Sequence, residues 1–307
     1  EIMPSLVGSE MCIRDRFGDW HKNSGRNNGI FHKGNLCDFF GKNVKNMAIK
    51  GTNPVGLYRV PRGYVDFSRR ERYSKGNLWG GSAEMEEHTL KGEYISVLKD
   101  GRLSYGGSQR WSDSPVLRGY GCGVIAALDL LLYLARQREV GSAQSTLAGG
   151  PVPWTLYDRW ARQLSRRYMP VVPPVGTNGW AIALGLNAVF LRQGIPLRAS
   201  WGVSRDRLWT RMGELLDRDV PVILSIGRNF PRVWRNVETA FYTPGRESGP
   251  PACSTNAHFV TVTAMDEDYL TVSSWGHPYR LSREEFDAYR REASASLLCT
   301  ILDVREK

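Results

Sequence analysis

The segment Gly119-Tyr120-Gly121-Cys122-Gly123 sets a cysteine at the start of a long apolar stretch. If that stretch is helical, the sulfur lies at its positive end. Unpaired backbone N–H groups and the helix dipole there favour the thiolate, which is the reactive form of the thiol. The flanking glycines permit a tight turn and let a substrate approach the backbone. The same segment reads equally well as a small buried cysteine at the mouth of a core helix. A thiol nucleophile needs a base, and the chain offers five histidines. His21 and His32 fall in an aperiodic N-terminal stretch, His88 follows Glu86-Glu87, and His277 precedes Pro278 in a turn-like context. His258 differs, because it opens a run of Phe, Val and Thr where a polar ring needs a reason. Its plain alternative is a hydrogen-bonded core histidine. Cys253, five residues earlier, is a rival thiol in a Pro/Ser/Asn loop without helix support.

Those side chains need elements to hold them. Residues 122–137 are apolar nearly all round, which predicts a buried helix. Asp129 within it is expected to pair with an arginine. Trp154–Tyr168 and Trp180–Gln193 read as further helices, the second ended by Gly194. Arg205–Arg218 is amphipathic behind a possible Ser204 cap. Strands are expected at Gly56–Phe67, Glu93–Leu98, Ile195–Trp201 and Pro221–Ile226. His258–Ala264 and Tyr269–Ser274 flank an Asp-Glu-Asp turn and make a hairpin. Ser282-Arg-Glu-Glu285 is a capping box for a short helix, and Ser296–Val304 reads as a closing strand. Helices first and antiparallel strands later argue for an α+β fold.

Composition bounds the rest. Of 307 residues 41% are hydrophobic and 23% charged, the usual balance of a globular chain. The net charge is +10, and residues 17–76 carry most of it, with 12 Lys/Arg against 4 Asp/Glu. Zinc-finger spacing and RNP-like aromatic motifs are missing there, so the region reads as a solvated basic tail rather than a nucleic-acid interface. His21, His32 and Cys37 match no standard metal-site spacing, and the aromatic residues between Trp154 and Trp209 read as core. Five irregularly spaced cysteines imply no disulfide framework. With no signal peptide visible, a reducing, cytoplasmic compartment is the expectation. The longest apolar run, Val124–Ala135, is too short to span a bilayer and contains Asp129. Residues 1–16 read as translated adapter sequence from metagenomic gene calling, residues 17–54 as a disordered tail, and residues 55–307 as one folded domain.

Taken in order, several motifs resemble the papain-like cysteine peptidase superfamily and, more narrowly, its bacterial C39-like peptidase branch. They are Gly121-Cys122-Gly123 at a helix start, Asn256-Ala257-His258-Phe259-Val260-Thr261-Val262 in a strand, and Ser273-Ser274-Trp275-Gly276 closing a hairpin. Leu281–Phe286 is similar to the helix that follows there. His258 lies 136 residues after Cys122, within the spacing of about 130–150 found in papain-type enzymes. The likeness covers about residues 100–304. It implies a papain-like fold, with a helical part carrying the nucleophile and a C-terminal antiparallel sheet. It implies Cys122 as nucleophile and His258 as base in a peptidase or amidase that forms a thioester, with no cofactor or metal. Ser273 stands where the family carries Asn or Asp. Gln109, in Gly106-Gly107-Ser108-Gln109-Arg110-Trp111, is similar to the glutamine of the oxyanion hole, although 13 residues rather than about six separate it from Cys122. Trp275 would cover the histidine. Two other outcomes are open: a peptide-binding module with impaired catalysis, which Ser273 favours, and acyl transfer of a transglutaminase-like kind.

Overall fold

The computed structural model describes residues 87–137 and 150–307. The expectations for residues 1–54, for a strand at Gly56–Phe67 and for His21, His32 and Cys37 lie outside these. In chain order the elements are β1 His88–Thr89, β2 Ser96–Lys99, β3 Arg102–Tyr105, α1 Pro115–Tyr120, α2 Cys122–Gln137, β4 Val152–Pro153, α3 Trp154–Arg167, α4 Gly179–Arg192, β5 Leu197–Trp201, α5 Leu208–Asp217, β6 Val222–Ile226, β7 Thr239–Phe241, β8 Cys253–Thr255, β9 His258–Met265, β10 Tyr269–Ser274, β11 His277–Ser282, α6 Arg283–Glu292 and β12 Leu302–Glu306. The protein is a mixed α+β molecule. Among the described residues no helix is long and apolar enough to cross a membrane.

The central sheet is antiparallel throughout. β9 is flanked by β10 on one side and by β6 and β1 on the other, and β11 extends the sheet beyond β10. Val222 pairs with Val262 and Ile226 with His258, so β6 covers the first half of β9. A register shift at Thr271/Val272 interrupts the β9–β10 ladder. The hairpin from β10 to β11 closes on Ser274 and His277. Its two turn residues, Trp275 and Gly276, have φ of 50° and 82°. Two left-handed residues match the twist of a tight hairpin, but an aromatic residue adopts that region at a cost.

Helix α2 is the core of the molecule. Every residue from Gly123 to Ala135 is buried, and the helix packs on α3, α4, β6 and β9. Its start is set by Gly121, which both ends α1 and opens α2. The Gly121 N–H donates to Leu117 O at 2.8 Å while its carbonyl accepts from Ile125 N–H at 3.0 Å. A Cβ there would lie 2.5 Å from Leu117 O, so only glycine lets the two helices meet this closely.

Local chemistry explains where the elements differ from the sequence reading. The Ser282 hydroxyl accepts from Glu285 N–H at 3.3 Å, so the expected cap opens α6. Ser204 makes no such bond, and a 3-10 turn over Arg205–Arg207 precedes α5. The closing strand begins only at Leu302, because Leu298 and Cys299 N–H both fold back onto Ala295 O in a turn.

Candidate active site

Cys122 occupies the first position of α2 and is partly buried. Its sulfur faces the backbone N–H groups of Phe259, Gly123 and Cys122 itself. The Phe259 contribution comes from β9, so the sulfur sits at the seam between helix and sheet. Burial nevertheless dominates and pushes the thiol above its ordinary value, and those three N–H groups offset it only in part.

His258 begins β9 and is buried. Its Nε2 is 2.7 Å from Ser274 Oγ. Among the described residues no hydrogen bond involves Nδ1. The Trp275 indole lies on the imidazole, with centroids 4.4 Å apart and planes at 19°. The Arg110 guanidinium sits over the same indole at 4.4 Å. Burial, reinforced by the positive charge of Arg110, holds the imidazole down to about 3.

Cys122 and His258 line one narrow cleft together with Gly107, Asp129, Thr261, Ser273, Ser274 and Trp275. Its volume of about 10 Å³ is close to the least that admits one water. A wider groove of about 540 Å³ lies elsewhere, against Arg207, Arg211, Arg218, Asp303 and Arg305. It contains neither cysteine nor histidine, and Arg211 in it is closed onto Asp303 and Glu214.

Two of the four residues read from the sequence need correction. The imidazole partner is Ser274, whereas the Ser273 hydroxyl donates to Tyr105 O at 2.9 Å. Successive strand residues project to opposite faces, so one step along β10 exchanges the partner. Gln109 lies in a 3-10 turn, and its amide donates to Arg118 O at 3.3 Å and Gly119 O at 3.4 Å. It is not among the cleft residues. The 13-residue spacing accommodates α1 between Gln109 and Cys122, and the glutamine ties down the end of that helix. The N–H groups of Cys122 and Gly123 at the start of α2, rather than the Gln109 amide, are the donors beside the sulfur.

Asp129 also departs from expectation, since tyrosines rather than an arginine hold it. Tyr157 OH donates to Oδ1 at 2.7 Å, Tyr94 OH donates to Oδ2 at 3.0 Å, and Gly107 N–H lies 3.2 Å from both oxygens. Burial raises the carboxyl to about 6 in spite of these donors. Gly106, with φ of 73°, threads between this carboxylate and the Ser273 hydroxyl, and a Cβ there would lie 2.5 Å from Asp129 Oδ2. The signal for the cluster was a charged residue inside an apolar helix, and its partners came from segments that carry no motif.

The rival thiols have different settings. Cys299 is buried beneath Gly227, whose N–H donates to its sulfur at 3.3 Å. Cys253 lies in β8, half-buried, and its thiol is raised by burial. Neither starts a helix. Comparison with family models, curated proteins and solved structures gives no match to this chain.

Proposed function

We propose that the protein is a cysteine-dependent hydrolase of peptide or amide bonds, built on a papain-like arrangement of the C39-like kind. The observation that carries this reading is the convergence of Cys122, at the mouth of α2, and His258, at the start of β9, on one cleft. Ser274 fixes the imidazole through Nε2 and Trp275 shields it.

In this reading the resting pair is neutral. Burial pushes the Cys122 thiol up and holds the His258 imidazole down to about 3, and both shifts disfavour the thiolate–imidazolium ion pair. His258 therefore works as a general base during attack: Nδ1 takes the thiol proton as Sγ bonds to the carbonyl carbon. The carbonyl oxygen gains charge against the Cys122 and Gly123 N–H groups, an interaction worth about 3 kcal/mol per donor in comparable sites. The imidazolium then gives its proton to the leaving amine, and a thioester remains on Cys122. Water attacks the thioester with His258 again as base. An amine in place of water makes the same chemistry acyl transfer.

A thiol raised and an imidazole lowered by burial also favour a second reading, a peptide-binding module in which Cys122 turns over poorly. Quenching a reaction with a mixed peptide substrate in hydroxylamine separates the two. Hydrolase chemistry gives hydroxamate that disappears in Cys122→Ala. Peptide binding without hydroxamate or cleaved product supports the module and contradicts the hydrolase.

A further inference from the structure

We infer that Arg110 is the specificity-determining residue of the cleft and selects substrates carrying a carboxylate beside the bond that is cut. This deepens the hydrolase reading and rests on it.

Arg110 lies in the 3-10 turn between Gly107 and α1 and is exposed. Its guanidinium stacks on Trp275 at 4.4 Å, and the Trp275 ring in turn stacks on His258 at 4.4 Å. Trp275 lines the cleft and Arg110 does not, so the indole is the link between the guanidinium and the imidazole. A guanidinium stacked on an aromatic face keeps its N–H groups directed outward in the ring plane, which suits bidentate capture of a carboxylate.

The arginine is also unclaimed. Among the described residues it makes no ion pair within 4.0 Å and donates no side-chain hydrogen bond. Other polar groups around the sheet already have partners. Arg280 is held by Asp266 and Glu247, and Glu238 accepts from Ser254. The positive charge of Arg110 is felt by His258, Cys253 and Tyr279. With the imidazole itself neutral, this exposed guanidinium over Trp275 is a positive charge that an anionic substrate group outside the cleft can meet.

Two alkylating reagents that differ by one charge test the inference on the full chain. Rates of iodoacetate and iodoacetamide are measured at Cys122 by peptide mass mapping, with free N-acetylcysteine as the reference. The expected iodoacetate-to-iodoacetamide ratio is about tenfold higher at Cys122 than for the reference thiol, and it falls with added salt. Arg110→Gln brings it down to the reference value, and Arg110→Lys keeps part of it. A ratio unchanged in Arg110→Gln overturns the inference while leaving the hydrolase reading intact. Should neither reagent reach Cys122, the hydrolase reading is the one damaged. A calorimetric titration with hexaglutamate and hexaglutamine then decides on Arg110. Hexaglutamate binding that Arg110→Gln abolishes supports the role, and equal or absent binding of the two peptides in the wild type refutes it.

Discussion

Cys122 and Asp129 ride on one helix, two turns apart, and both line the same cleft. Burial raises both, yet the protein answers it differently. At Asp129 each carboxylate oxygen is matched by a tyrosine hydroxyl, and the Gly107 N–H adds to both. At Cys122 the sulfur faces backbone N–H groups alone, and among the described residues Nδ1 of His258 makes no hydrogen bond. A cluster with all its hydrogen bonds made is a structural tie, and one with open valences next to a thiol is equipped to react.

The contrast can be broken from either end. Cys122→Ala is expected to remove hydroxamate formation, a loss of more than about 10³-fold, with the melting temperature nearly unchanged. Similar losses on Asp129→Ala without unfolding would erase the distinction. Asp129→Ala is instead expected to lower stability by about 3 kcal/mol in urea titrations, because two tyrosine hydroxyls and a glycine N–H lose their acceptor.

The pH dependence of stability sharpens the same comparison. Asp129 has a folded value of about 6 against 3.8 for an ordinary aspartate. Its protonated form is favoured in the folded state, so its contribution is present below pH 3.8 and is lost as pH rises through about 6. His258 lies at about 3 against 6.5. Its contribution is present above pH 6.5 and is lost as pH falls through about 3. The two slopes oppose each other between pH 4 and 6, each worth on the order of a few kcal/mol across its window. Urea midpoints against pH should steepen upward in Asp129→Asn and flatten or reverse in His258→Asn.

Smaller effects separate the neighbouring hydroxyls. Ser274→Ala is expected to slow Cys122 acylation about tenfold by loosening the imidazole, and Ser273→Ala should slow it less. Equal effects would remove Ser274 from its positioning role. Gln109→Ala is expected to change the rate by less than about twofold, since its amide is committed to the end of α1.

Much of this was legible in the sequence where periodicity was strong. Helix α2 spans the residues its apolar run predicts, and the β9–β10 hairpin falls where Val/Thr alternation and the Asp-rich turn put it. Cys122 and His258 were visible because each is a polar residue at the border of an apolar element. Ser274 was not, because two adjacent serines differ only by strand face, and register is set by the Trp275-Gly276 turn and the ladder rather than by composition. Gln109 misled because a motif match says nothing about where an amide points. The tyrosines around Asp129 were hidden, since Tyr94 and Tyr157 meet it only through tertiary packing.

The most direct test is the rate of iodoacetamide labelling at each cysteine in the wild type and in His258→Ala. The account predicts that Cys122 outpaces Cys253 and Cys299 near neutral pH, and that its rate alone drops in His258→Ala. If Cys253 reacts first, or Cys122 reacts equally fast without the imidazole, the sulfur and the ring do not work as a pair.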